Sequence, residues 1–396
     1  MKKKIAILGS TGSIGKSLIK ILTKDKKKIN IKLLSANKNY KELFKQAKFF
    51  NVKNLIITDK KTYNYVIKKK KNKKINIYNN FFEYKKIFQS KKIDYVMSAL
   101  TGLEGLIPTV DIIKYTKTIA IANKEAIVCG WNLIKAQLNL NKVKFIPVDS
   151  EHFSLWYDIK DKSKMNINEI FITASGGPFL NMSLHNFKKI KINDALKHPN
   201  WKMGKKISID SATMVNKVFE IIEAKKIFEI PYSKIKILIH PNSYVHSIIS
   251  YNDGMIKIIC HDTTMEIPIH NTFYYGQNKK YYNSNNNIFK SKKNFFRNIK
   301  NLKFSLINKK KFPSIKILSL LPEQNSLFET IVVSVNDELV DLFLKKNIQF
   351  NDISNFLLKI IKKREFIKYK TIKPEKISQI MDLYKYVRLK TRSICI

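Results

Sequence analysis

Asp149-Ser150-Glu151 places two carboxylates at i and i+2, directly after the apolar stretch 143–148. In a loop, such a pair can converge on one hard cation, supplying oxygen ligands and leaving positions open for a substrate. The competing reading is that Asp149 and Ser150 cap a following helix. A second set supports the metal. Asn216, Lys217 and Glu220 stand at i, i+1 and i+4 in the helical stretch 213–228, with Asp210 or Ser211 before it as a cap. Those spacings share a helix face. An amide, an ammonium and a carboxylate on one face of an otherwise apolar helix are costly to bury unless a ligand uses them. Glu223, the next acid, reads as solvated.

A different chemistry opens the chain. Gly9-Ser10-Thr11-Gly12-Ser13-Ile14-Gly15 follows the apolar residues 5–8 and precedes a helical pattern. Glycines there let the backbone turn sharply and bring a pyrophosphate to the helix N-terminus, the arrangement of a dinucleotide site. An NAD enzyme places an acid at the end of its second strand to hold the ribose 2′-hydroxyl. Here that end reads Leu34-Ser35-Ala36-Asn37-Lys38-Asn39, with no acid and one lysine, which favours NADPH. The missing acid carries more of this argument than Lys38, one of many lysines.

Three further stretches have chemical potential. Asn123-Lys124-Glu125 follows the strand pattern 118–122, at the end of a strand where open α/β sheets bind ligands. Ala174-Ser175-Gly176-Gly177-Pro178 offers bare backbone N–H groups of the kind that cradle an anion. His198-Pro199-Asn200-Trp201-Lys202-Met203-Gly204 combines the parts of a lid over a site; its alternative is a surface loop anchored by Trp201. His240 and His246 read as structural histidines, with catalysis as the alternative.

The elements that must position these residues follow from periodicity. Residues 5–8, 31–34, 55–58, 95–99, 118–122 and 143–148 read as strands, with helical patterns between them at 17–22 and 125–138. That alternation predicts a Rossmann-like, doubly wound parallel sheet, class α/β, over 1–149. Residues 150–276 mix strands at 170–173, 235–239 and 256–260 with one strong helix, predicting an α+β catalytic domain. A Lys/Asn-rich segment at 277–312 reads as a connecting loop. From 313 to 396 the apolar residues fall at helical spacing, predicting a helical domain.

Composition bounds the class. The chain has 396 residues, 44% of them hydrophobic, enough for two or three domains with proper cores. No run of 18 apolar residues predicts a membrane span, and the four apolar residues at 5–8 are too few for a secretory signal. Cys129, Cys260 and Cys395 are far apart, which suits a reducing cytoplasm. The net charge of +45 would suggest nucleic acid, but only four residues are arginine against 71 lysines. Phosphate or guanine readers rely on arginine's planar fork. Lys, Asn, Ile, Phe and Tyr are inflated together, as AT-rich codons would make them, so no specific nucleic acid and no membrane partner is expected. The charge still steers anionic substrates towards the protein.

Taken in order, Gly9 to Gly15, Ala122-Asn123-Lys124-Glu125, Pro147-Val148-Asp149-Ser150-Glu151-His152, Ser175-Gly176-Gly177-Pro178-Phe179, the 198–204 and 206–220 stretches and His240-Pro241-Asn242-Ser243 resemble the 1-deoxy-D-xylulose 5-phosphate reductoisomerase family. The resemblance implies a homodimeric enzyme with an NADPH-binding domain, a catalytic domain that also forms the dimer, and a C-terminal helical domain. The implied reaction rearranges and reduces 1-deoxy-D-xylulose 5-phosphate to 2-C-methyl-D-erythritol 4-phosphate, on the way to isoprenoids.

By the same resemblance, Asp149, Glu151 and Glu220 hold Mg²⁺ or Mn²⁺ and act with Lys124 in catalysis. Lys124 and Ser150 touch the substrate backbone, and Ser175, Ser211, Asn216 and Lys217 take its phosphate. His198, Trp201 and Gly204 belong to the lid. Thr11, Gly12, Ser13, Ile14, Asn37, Lys38, Asn39, Asn123, Glu125 and Gly204 line the cofactor. Departures from the family pattern are Asn37 for glycine, Lys205 for arginine, Tyr274-Tyr275-Gly276-Gln277 for a Tyr-Pro-x-Arg-like segment, and Asn336-Asp337 for Asn-Glu. Two other readings are a semialdehyde dehydrogenase, which needs no carboxylate set, and a lysine-rich nucleic-acid binder, which central acids would repel.

Overall fold

The computed structural model describes residues 2–69, 74–89, 91–159, 166–201, 203–277, 279 and 296–396. Lys202, residues 70–73 and much of the 277–312 segment lie outside them. The chain divides into two compact units. The first comprises Met1–Ala126, Asn132–Asp149 and Met265–Lys279; the second comprises Ile127–Trp131, Ser150–Thr264 and Lys280–Ile396. Asp149 and Ser150 fall in different units, and Ile127–Trp131 groups with the second. Met265–Lys279, which the sequence reading assigns to the catalytic region, groups with the first unit.

The first unit is built on a sheet of order β4-β3-β2-β1-β5-β6-β7. Its strands are β1 (Lys3–Leu8), β2 (Ile29–Ala36), β3 (Asn54–Ile57), β4 (Asn76–Tyr78), β5 (Tyr95–Ser98), β6 (Thr118–Ile121) and β7 (Lys144–Pro147), with α1 (Ser13–Thr23) and α2 (Tyr40–Phe50) among its crossovers. Every pairing is parallel. Strands buried on both faces carry near-continuous apolar runs, as Ile5, Ala6, Ile7 and Leu8 do at zero exposure. Pro147 ends β7, an edge strand, where a missing N–H disrupts least. Helix α3 (Lys124–Leu140) follows β6 and leaves helical geometry at Gly130.

In the second unit a mixed sheet runs β11-β10-β8-β9-β12. It comprises β8 (Ile167–Ala174), β9 (Ile235–Ile239), β10 (Val245–Tyr251), β11 (Ile256–Cys260) and β12 (Ser305–Leu306). Here α4 (Ser150–Ile159), α5 (Lys205–Ala212) and α6 (Val215–Phe228) precede the last strands in the chain, and α7 (Glu266–Phe273) returns to the first unit. The C-terminal part is helical as the spacing predicts, with α8 (Phe328–Leu344), α9 (Phe350–Ile361) and α10 (Ile377–Cys395). No helix among the described residues is long and apolar enough to cross a membrane.

The helix expected at 213–228 needs a correction. Asp210 and Ser211 do not cap it; they lie inside a separate helix, α5. Met214 breaks the two, buried and left-handed at φ 64°. A non-glycine residue in that region is rare and persists only where surrounding contacts demand it. This junction sets the directions of α5 and α6, and therefore of every polar side chain they carry.

Candidate active site

In the first unit, the glycine turn has the geometry expected. Gly9 sits at φ +80°, and a Cβ on it would meet the Ala99 carbonyl oxygen at 2.5 Å. Gly15 lets α1 lie on the turn, since a Cβ there would be 2.4 Å from the Gly9 oxygen. Gly12 is the N-cap of α1 with no side-chain cap, and the first turn holds no acid. Thr11, Ser13 and Ile14 thus surround backbone donors suited to a pyrophosphate. Lys38 is exposed after β2, Asn39 caps α2 by accepting from Glu42 N, and Asn37 donates to Thr58 Oγ1 at 2.9 Å.

Sequence reasoning missed an acid here. Asp59 lies two residues past the end of β3, its N–H donating to the Asn37 carbonyl at 3.4 Å. Its carboxylate accepts from the N–H and hydroxyl of Thr62, which hold it below the usual carboxylate range. That engagement turns it towards the helix Lys60–Lys69 that follows.

Asn123 is buried and works in two directions, accepting from Ala126 N at 2.8 Å and donating to Gly102 O at 2.8 Å. It caps α3 and so fixes its neighbours Lys124 and Glu125. The Lys124 ammonium lies 2.8 Å from Asp149 Oδ2, across the ends of β6 and β7. Asp149 belongs to the first unit and Ser150 to the second. The chain itself keeps the Cα atoms of Asp149 and Glu151 within about 7 Å of each other.

In the second unit, Glu151 and Glu220 offer carboxylate oxygens within 4.8 Å of one another. The Lys217 ammonium bridges them, 3.0 Å from Glu151 and in contact with Glu220, with its third bond to the Thr173 carbonyl. Asn216 Nδ2 donates to Glu220, and the Ser150 hydroxyl to Glu151. The expected shared face of Asn216, Lys217 and Glu220 is present. Glu223 is not solvated. It is buried 3.4 Å from the equally buried His152, whose Nε2 donates to the Glu220 carbonyl at 2.8 Å. The available signal was its place three residues after Glu220, on the same helix face. The donor set around Glu151 and Glu220 is all oxygen and anionic, matching Mg²⁺ or Mn²⁺ and not a thiolate-seeking metal.

Next to the carboxylates lies the anion cradle. Gly176 and Gly177 sit at φ +86° and +67°, and a Cβ on Gly177 would be 3.0 Å from the Ser211 carbonyl. The loop therefore packs its bare backbone against α5. His198 Nδ1 accepts from both Asn200 N, at 3.1 Å, and Trp201 N, at 3.0 Å. Its proton must then sit on Nε2, which faces Ser175 Oγ at 3.0 Å. Ser175 Oγ also accepts from Gly177 N at 3.1 Å. A hydroxyl that already accepts twice points its single proton outward, as a donor for an incoming anion.

Asn200 ties the segment to Pro241 O and Ser243 Oγ, and Gly204 caps α5. A cavity of about 460 Å³ opens beside Ser175, walled by Pro178, Phe179, Lys197 and Pro241 among others, at the cradle end of the site. His240 is structural, its Nδ1 donating to Lys303 O at 2.9 Å. His246 is buried against the ring of His261, centroids 3.7 Å apart.

Burial lowers the His198 pKa from 6.5 to about 4. The neutral ring's contribution to stability is complete above pH 6.5 and is lost as pH falls from there to about 4. NMR of labelled histidine should find Nε2 protonated at pH 7 and a midpoint near 4. A midpoint near 6.5 would break the Ser175 argument.

Family models match three parts of this chain. Residues 5–130 match 1-deoxy-D-xylulose 5-phosphate reductoisomerase, 145–228 match that enzyme's C-terminal domain, and 262–390 match the DXP reductoisomerase C-terminal domain. The 1-deoxy-D-xylulose 5-phosphate reductoisomerase of Pelagibacter ubique is 55% identical over 395 residues, covering 100% of both chains. The chain belongs to the 1-deoxy-D-xylulose 5-phosphate reductoisomerase family. The Wolbachia pipientis member is 37% identical, with 93% of this chain and 92% of its own covered.

Among solved structures, the Zymomonas mobilis reductoisomerase in complex with NADPH aligns with a TM-score of 0.85 at 27% identity, covering 100% of this chain and 99% of its own. A reductoisomerase in complex with NADPH, fosmidomycin and magnesium aligns at 0.84 and 26%, covering 99% and 97%.

Proposed function

We propose that this chain catalyses the NADPH-dependent rearrangement and reduction of 1-deoxy-D-xylulose 5-phosphate to 2-C-methyl-D-erythritol 4-phosphate, in isoprenoid biosynthesis. The observation that carries this reading is the pair of carboxylates, Glu151 and Glu220, beside a cradle whose Ser175 proton faces outward. Simple hydride transfer needs no such pair. Asp149, Glu151 and Glu220 would hold Mg²⁺ or Mn²⁺, which when bound supplies Lewis-acid polarisation of the substrate's carbonyl and hydroxyl oxygens.

The chain's own residues do the rest. Lys124, held by Asp149, donates to the substrate backbone beside Ser150. Ser175, Ser211, Asn216 and Lys217 take the phosphate and fix orientation, which converts binding energy into rate. Trp201, His198 and Gly204 cover the site and exclude water. Carbon–carbon rearrangement conserves oxidation state and yields an aldehyde, so the one net reduction is hydride from NADPH, which is oxidised to NADP⁺. The cofactor lies along Thr11, Gly12, Ser13, Ile14, Asn37, Lys38, Asn39, Asn123 and Glu125, with Gly204 at the lid.

Nicotinamide absorbance should fall when the protein meets 1-deoxy-D-xylulose 5-phosphate, NADPH and Mg²⁺. No oxidation of NADPH sinks the function. Loss of the 2′-phosphate contact should lower kcat/KM with NADH by at least about tenfold, one charged hydrogen bond's worth. Equal values would overturn the argument from Lys38 and the absent strand-end acid.

We also read the chain as a cytoplasmic homodimer. β11 ends its sheet, and Met255, Ile256 and Ile258 on and beside it are 62%, 62% and 46% exposed. An apolar edge of this kind invites a second copy to pair with it. Light scattering after size exclusion should give twice the chain mass, and Ile258→Lys should shift it to one chain. A parent that stays monomeric at micromolar concentration removes the dimer.

A further inference from the structure

Helix α5 joins the 198–204 segment to the phosphate-facing residues and carries Ser211 itself. With eight residues it is too short to hold its own orientation in water. Its apolar anchors are Ile209 and Ala212, while Ile207 is 37% exposed. Polar groups of the C-terminal helices supply the remaining grip. Asn336 on α8, fully buried, donates from Nδ2 to Asp210 Oδ1 at 2.7 Å. The Lys206 ammonium lies 2.8 Å from Asp210 Oδ2 and 3.1 Å from Asp337 Oδ1. Tyr384 on α10 donates to the other Asp337 oxygen at 3.0 Å, and Arg388 donates to the Tyr384 hydroxyl at 3.1 Å. Both oxygens of Asp210 and both oxygens of Asp337 are therefore engaged in one continuous set.

We propose that Asn336 and Asp337 are positioning residues for the substrate phosphate, acting through Asp210 and Lys206 to fix the rotation of α5. Consecutive helical residues point about 100° apart, so holding the Asp210 carboxylate determines where the Ser211 hydroxyl points. The same hold anchors the helix at Gly204, where the covering segment begins. Asp210, Asn336, Asp337 and Tyr384 are buried, which makes the geometry stiff, because a half-satisfied buried network is costly. The Lys206 ammonium also lies 5.6 Å from the Phe219 ring centre, which links α5 to α6 and its Asn216, Lys217 and Glu220.

The inference rests on the phosphate reading of Ser175 and Ser211, and its test separates the two. Asp337→Asn keeps the shape and removes the charge that holds Lys206. KM for the sugar phosphate should rise about tenfold, with kcat within about twofold and KM for NADPH unchanged, the mark of displaced ligand groups. Asp337→Glu restores the charge and should recover most of the loss. Arg392→Ala removes a neighbouring ion pair, Arg392 to Glu338 at 2.6 Å, and should cost stability while leaving KM alone.

Calorimetric binding of inorganic phosphate to the intact protein gives an activity-free readout, with the same ordering of variants expected. The positioning role is overturned if folded Asp337→Asn keeps the parent's KM and phosphate affinity. It is also overturned if Arg392→Ala reproduces the shift, which marks general loosening of the bundle. A parent that binds phosphate in this pattern without turning over the sugar phosphate sinks the function and leaves the positioning intact. A parent that binds neither sinks both.

Discussion

Glu220→Gln should abolish turnover, by about a thousandfold or more, while NADPH binding persists. The substitution is nearly isosteric, but it removes one anionic oxygen from the proposed metal-binding carboxylates, and such cations prefer charged oxygen. Several kcal/mol of transition-state stabilisation correspond to roughly that factor. Local geometry sharpens the expectation. Glu220 accepts from Asn216 Nδ2 on one oxygen and meets the Lys217 ammonium with the other. A glutamine must turn its oxygen to one of these donors and its NH₂ to the other, so one contact becomes donor against donor. The cofactor turn is built from Gly9, Gly12 and Gly15 of the first unit and has no part in that conflict. Steady-state rates with millimolar Mg²⁺, together with NADPH fluorescence titration, check both halves. A rate within tenfold of the parent removes Glu220 from the chemistry.

Lys217→Met should show the largest stability effect. The ammonium is nearly buried and neutralises two carboxylates, Glu151 and Glu220, that lie 14% and 2% exposed. Removing one partner of a buried ionic set typically costs about 3–5 kcal/mol, because uncompensated charge remains. The methionine keeps the apolar stem, so lost packing is a minor part. On the proposed metal site, Mg²⁺ would supply replacement positive charge to the same carboxylates and would stabilise by binding the folded form. Thermal unfolding should therefore show a large drop in Tm for Lys217→Met without metal, and a larger Mg²⁺-induced recovery than the parent gives. Sugar-phosphate affinity should fall as well, since Lys217 is among the groups proposed to take the phosphate. Identical Mg²⁺ responses in parent and variant would falsify the view that Lys217 and the cation serve the same carboxylates.

The charge excess also has a structural counterpart. Of the four arginines, Arg388 and Arg392 spend their guanidinium groups on Glu338, and Arg388 reaches Asp341 as well. Arginine's fork is used here to join helices of the C-terminal part.

Local chemistry was legible from the residues alone. The Gly9 turn, the carboxylates at i and i+2, the parallel strand-helix alternation and the face shared by Asn216, Lys217 and Glu220 depend on backbone geometry within a few residues, and spacing encodes that directly. Contacts between distant segments were not legible. β10 is not among the strands the spacing predicts, yet it lies between β8 and β11 and buries His246 and Ser247.

Glu223 was read as solvated because its partner, His152, arrives from another helix. The break at Met214 has no signature at all: a left-handed methionine is held by the burial around it, not by its own preference. The same holds for the grip of Asn336 and Asp337 on α5, across more than a hundred residues of chain. The sequence by itself determined which chemistry was available and in what order along the chain. Tertiary structure alone decided which buried charges meet, because that pairing depends on packing between distant elements, and no local spacing records it.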